Sequence, residues 1–161
     1  MATTPLVQTS APADKVVAVK PMVFATDFSP ASEHALLKAI EMARKEGTEL
    51  IVAHVYAPPA SLSHSGIADD YIEAQLEDTI RKEVEKQLEP VLAKVRAEGV
   101  RARGEILAGH PAKRLAELVE KSGAGLLVLG THGRTGLKKL VVGSVASQVV
   151  ATAPCPVLTV R

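Results

Sequence analysis

A chain of 161 residues has the length of one ordinary domain with room for a buried core. Hydrophobic residues make up 47% of it but aromatic residues only 2%, so the core must be aliphatic, and no apolar run approaches the roughly 20 residues of a membrane span. The 19 basic and 18 acidic residues leave a formal net charge of +1, which supplies no general attraction to nucleic acid.

Residues 1–20 open with a stretch rich in Thr, Ser, Ala and Pro, without periodicity. They read as a loosely attached extension ahead of one domain over 21–161. No continuous apolar segment of the signal-peptide kind occurs there. The single cysteine, Cys155, cannot form an internal disulfide. Cytoplasmic location is the expectation, with neither membrane nor nucleic acid as a partner.

Met22-Val23-Phe24-Ala25 is a continuous apolar run of the kind found in a central parallel strand covered on both faces. Ser29 suits an N-cap and Pro30 the first helical position. The helix they start buries Ala35, Leu36, Ala39, Ile40 and Ala43, and Gly47 stops it. Leu50 to Val55 reads as the second strand. The connection over 57–66 is longer than usual. From Asp69 a helical pattern runs through Ile72, Leu76, Ile80, Val84 and Leu88, and Pro90 should bend or split it. Val100 to Ile106 alternates polar and apolar, which suits an edge strand with one wet side. Gly109-His110-Pro111 then turns into a helix with the stripe Ala112, Leu115, Ala116 and Val119.

Leu126-Leu127-Val128-Leu129 is the fourth strand, and a glycine-rich loop leaves it. Gly130, Gly133, Gly143 and Ser144 form the pattern G-x2-G-x9-G-S, after which apolar residues recur at helical spacing to about Thr152. Unpaired N–H groups and the positive end of the helix dipole converge on such a loop and favour an anion. A glycine-rich connector without a ligand would have a similar composition. Val157-Leu158-Thr159-Val160 closes the chain as an edge strand.

Strands alternating with helices make an α/β fold with one five-stranded parallel open sheet and helices on both faces. The order 3-2-1-4-5 fits a wet third strand and apolar first and fourth strands. The switch point then lies between strands one and four, where Asp27 and the glycine loop face each other.

The loop resembles the nucleotide-binding signature of the universal stress protein family. The likeness runs from about Pro21 to Arg161. It also rests on Ala25-Thr26-Asp27-Phe28-Ser29, His54-Val55, Gly109-His110-Pro111 and Ala153-Pro154-Cys155-Pro156-Val157-Leu158. The resemblance implies a Rossmann-like, adenine nucleotide alpha hydrolase-like fold and membership of the ATP-binding branch. It implies that Ala25, Thr26 and Asp27 line the adenosine side, that the Val55 backbone meets the adenine edge, and that Leu129 and Gly130 lie beneath the ribose. His132, Gly133, Gly143, Ser144, Val145 and Ala146 would surround the phosphates, accompanied by Mg2+ or Mn2+ held mainly through the nucleotide. It implies a homodimer through the C-terminal strand. Gly125, where the family usually has Asp, and His110, often acidic in relatives, depart from the pattern.

No catalytic residue is expected, because His132 has no evident nucleophile or carboxylate partner. None of His54, His64, His110 and His132 has H-x3-H metal spacing. The expected function is an ATP-binding stress-response regulator, with slow hydrolysis or self-phosphorylation at most. A nucleotide-independent dimeric interaction module of the same fold is the alternative. An adenylyl transferase would need an HxGH pair, and a phosphoacceptor receiver an Asp where Leu107-Ala108 stands.

Overall fold

The computed structural model describes residues 19–58, 70–131 and 143–161. Of the extension expected over 1–20, residues 1–18 lie outside them. Five strands alternate with four helices: β1 (Met22–Ala25), α1 (Pro30–Glu46), β2 (Leu50–Tyr56), α2 (Asp70–Ala97), β3 (Ala102–Ala108), α3 (Pro111–Ser122), β4 (Leu126–Gly130), α4 (Ser144–Thr152) and β5 (Val157–Val160). All pairings are parallel and the order is β3-β2-β1-β4-β5, as the patterning predicts.

Successive side chains of a strand point to opposite faces, and the core divides accordingly. Phe24, Leu50, Val52 and Val128 pack on one face against Leu36, Ile40 and Ala43 of α1 and Leu88, Leu92 and Val95 of α2. Val23, Ile51, Leu127 and Leu129 pack on the other against Leu115, Leu118 and Val119 of α3 and Ala146 and Val149 of α4. That double demand is why β1 and β4 are apolar at nearly every position. The start and end of α1 also follow its sequence. The Ser29 Oγ accepts from the Ser32 N–H at 3.3 Å, and Gly47 closes the helix at φ 65°, a left-handed conformation that glycine adopts without steric cost.

Four expectations need correction, in whole or in part. The periodic stripe of α2 does not bury its first members: Ile72 is 51% and Leu76 45% exposed, whereas Val84, Leu88, Leu92 and Val95 are buried. A helix of 28 residues is about 42 Å long, while a seven-residue strand spans about 23 Å. The helix outruns the sheet it covers. Pro90 lies inside this helix, so of the two expected effects, bending or splitting, splitting does not occur. In α3, Leu118 rather than Ala116 completes the buried stripe.

The edge strand β3 starts and ends two residues later than its alternation suggests. Gly104 in its middle lets α2 close over it: a Cβ there would lie 2.7 Å from Leu88 Cδ2 and 3.2 Å from Leu92 Cδ1. Leu88 is 4% exposed and has little space for retreat. Gly104→Val should therefore destabilise the fold by about 1–3 kcal/mol through overpacking, read as a lowered urea midpoint at unchanged slope.

Candidate functional site at the sheet switch point

At the carboxyl ends of β1 and β4 the chain leaves the sheet toward opposite faces, opening a cleft. Its volume is about 300 Å3, the lower end of the roughly 300–1,000 Å3 typical of small-molecule sites. Ala25, Thr26 and Asp27 line it from the β1 turn, Val55 from β2, Leu129 and Gly130 from β4, and Gly143, Ser144, Val145 and Ala146 from the start of α4. Ten of the twelve residues singled out in the sequence thus meet in one place. The other two, His132 and Gly133, lie outside the described residues, as do His64, Arg134, Lys138 and Lys139.

The β1 turn is built by its own side chains. Thr26 Oγ1 accepts from the Phe28 N–H at 2.9 Å and lies 3.1 Å from Ser32 Oγ. Ser32 Oγ donates to the Ser29 carbonyl at 2.8 Å, so the proton between the two hydroxyls belongs to Thr26. The Thr26 hydroxyl is therefore committed to the turn, and the residue offers the cleft its remaining surface rather than a donor. Asp27 Oδ1 accepts from the Ser29 N–H at 3.0 Å, which holds the carboxylate at the mouth of the cleft.

On the opposite wall, the Gly143 N–H donates to the Thr131 carbonyl at 2.8 Å. Thr131 in turn donates through its N–H to the Val160 carbonyl at 2.8 Å. The Gly143 amide is thus already engaged. The first bond of α4 runs from the Ser147 N–H to the Gly143 carbonyl at 2.9 Å. The N–H groups of Ser144, Val145 and Ala146 precede it and point out of the helix start with the positive end of its dipole. Three amides, not four, form the anion-attracting edge.

Sequence reasoning missed Ser32, Ala53, Pro111, Leu115 and Thr131, all of which line the cleft. Ala53 had a signal, since it lies two residues before Val55 on the same strand face. Pro111 and Leu115 arrive only because α3 begins beside this edge. Gly109 makes that entry at φ 132°, a conformation reserved for glycine, with its N–H on the Tyr56 carbonyl at 2.9 Å. His110 stands at the N-cap of α3 without a side-chain capping bond. Cys155 is half-buried, and burial pushes its thiol up, away from reactive thiolate character.

The cleft combines aliphatic walls, one carboxylate and a helix start: it can hold a flat apolar group, a polar linker and an anion in line. The model of the "Universal stress protein family" matches residues 18–161. The universal stress protein MJ0531 of Methanocaldococcus jannaschii is 33% identical over 144 residues, covering 88% of this chain and 82% of that protein. The structure of MJ0577, from the same organism, matches with a TM-score of 0.78 at 26% identity, over 89% of this chain and 96% of that one. The universal stress protein of Archaeoglobus fulgidus in complex with dAMP matches with a TM-score of 0.65 at 26% identity, over 88% and 98% of the two chains.

Proposed function

Since the chain belongs to the universal stress protein family, we propose that it binds ATP in the switch-point cleft and acts as a nucleotide-dependent regulator of the stress response. Turnover is limited to slow hydrolysis or self-phosphorylation. The observation that carries this reading is the convergence of β1, β2, β4 and the α4 start on one cleft. The dAMP complex of the Archaeoglobus relative supports an adenine nucleotide as the ligand class. In this reading the adenine lies between the aliphatic walls with its edge on the Val55 backbone. The Asp27 carboxylate accepts from a ribose hydroxyl, and the ribose rests over Leu129 and Gly130. The phosphates lie against the amides of Ser144, Val145 and Ala146 and the Ser144 hydroxyl, with His132 and Gly133 completing the loop.

Mg2+ or Mn2+ accompanies the nucleotide, neutralising the phosphates. Among the described residues no group of three or more His, Cys, Asp and Glu could hold a metal ion. The chain works in the cytoplasm as a homodimer. Edge strand β5 leaves one side of its backbone open and its four residues half-buried, and pairing with a second copy would cover both. Among the described residues no helix is long and apolar enough to cross a membrane.

Calorimetric titration of nucleotide-free protein with ATP and magnesium tests the reading. Micromolar binding is expected, and Asp27→Ala should weaken it about tenfold, the equivalent of one hydrogen bond to a charged group. No heat and no thermal shift, once copurified nucleotide has been excluded, would overturn ATP as the ligand. A dimeric interaction module would then remain.

A further inference from the structure

The β1–β2 ladder ends earlier than its geometry requires. The Thr26 N–H donates to the Ala53 carbonyl at 2.9 Å. In a parallel pair, alternate residues turn both N–H and C=O toward the same neighbour. Val55, two residues on, therefore faces the β1 side, whereas the Tyr56 carbonyl faces β3 and accepts from Gly109. The next rung would join the Val55 N–H to the Thr26 carbonyl, and no such bond is present.

That carbonyl is taken by a side chain. His54 Nδ1 lies 2.8 Å from it, and because a carbonyl only accepts, Nδ1 carries the proton. The imidazole is held by Phe28, with ring centroids 4.5 Å apart and planes 27° from parallel. Phe28 itself adopts φ 60°, an uncommon conformation for a bulky residue. Its N–H is anchored on the Thr26 hydroxyl. A strained backbone residue and a stacked pair are thus maintained at the point where the ladder stops.

We propose that His54 is a positioning residue: its Nδ1–H replaces the Val55 N–H on the Thr26 carbonyl and leaves the Val55 peptide edge facing the cleft. Resting on the nucleotide reading above, that edge selects the base. It offers a donor and an acceptor in fixed order to adenine, which presents an acceptor at N1 and a donor at N6. Guanine presents the reverse order and, with its ribose held over Leu129 and Gly130, mispairs.

The first test needs no nucleotide. Residue-resolved amide exchange on the full ligand-free chain should show Val55 exchanging at least about tenfold faster than Ala53. His54→Phe keeps a ring against Phe28 but removes the donor. The free rung should then close and slow Val55 exchange about tenfold. His54→Asn, whose amide nitrogen reaches about the place of Nδ1, should restore the fast exchange. In calorimetry, His54→Phe should lower ATP affinity about tenfold, narrow the preference over GTP, and leave inorganic tripolyphosphate binding unchanged. Wild-type Val55 protected as fully as Ala53, Val55 exchange unmoved by His54→Phe, or an equal loss of tripolyphosphate would each overturn the proposal. If wild-type protein ignores ATP while the exchange pattern holds, the nucleotide reading falls and the ladder role of His54 stands.

Discussion

Gly143→Val is expected to lower ATP affinity by about 100-fold or more while leaving the protein folded. Gly143 lines the cleft and is the N-cap of α4 at φ −57° and ψ 153°, a conformation open to any residue. The substitution therefore does not strain the backbone, and its N–H can still reach the Thr131 carbonyl. Replacing an N-cap glycine by an aliphatic residue costs only about 1 kcal/mol of helix stability. An isopropyl group between Thr131 and Ser144 would instead hold an anion off the amides of Ser144, Val145 and Ala146. Loss of two charge-assisted hydrogen bonds, each worth about 1.5–3 kcal/mol, corresponds to at least about 100-fold in affinity. Calorimetry on the variant, with a melting curve recorded alongside, separates the two effects. ATP binding retained at wild-type strength would remove the phosphates from the α4 start.

Phe24→Ala should lower unfolding stability by about 3–5 kcal/mol, a large part of the roughly 5–15 kcal/mol available to a domain. Phe24 is 1% exposed and packs among Leu36, Ile40, Val52, Leu92 and Val95. Among the described residues it is the only ring of this core with essentially no exposure, and aliphatic neighbours anchored on two helices and a sheet cannot collapse fully into its volume. Leu76→Ala provides the contrast. It lies on the same helical stripe as Leu88, but it is 45% exposed, so a change within about 1 kcal/mol is expected. Urea midpoints of the two variants read this difference directly. Equal losses would mean that the overhanging end of α2 is packed against something in solution.

That contrast also marks how far the sequence was legible. The apolar runs of β1, β2 and β4 and the caps Ser29 and Gly47 are local signals, and they locate five strands and four helices in the right order. The period of α2 is local as well, but whether an apolar position is buried depends on how far the sheet extends beneath it, which Ile72 and Leu76 cannot encode. The cleft follows the same division. Asp27, Val55, Gly130 and Gly143 stand at strand ends or a helix start, so topology alone brings them together. Pro111 and Leu115 join them through the placement of α3. His54 is legible as a residue of a motif, but its hold on the Thr26 carbonyl depends on which way a ring turns at the last rung of a ladder. Likewise the Gly143 amide looks like an anion donor until the Thr131 carbonyl is seen to accept from it.

That one bond has a consequence for how such a chain can change over generations. With Thr131 and Gly143 fastened to each other, and Thr131 fastened to β5, the two flanks of residues 132–142 are joined within the frame itself. Doubling the number of residues between two joined ends costs only about 0.6 kcal/mol, so a longer or shorter sequence between these flanks should leave the sheet standing. The strand ends that line the cleft would keep their register, while the end nearest α4 could be rewritten for a different anion or for none. If the chain binds a nucleotide as proposed, recognition of its base and of its phosphates is separable, and descendants of one frame can diverge in the second without relearning how to fold.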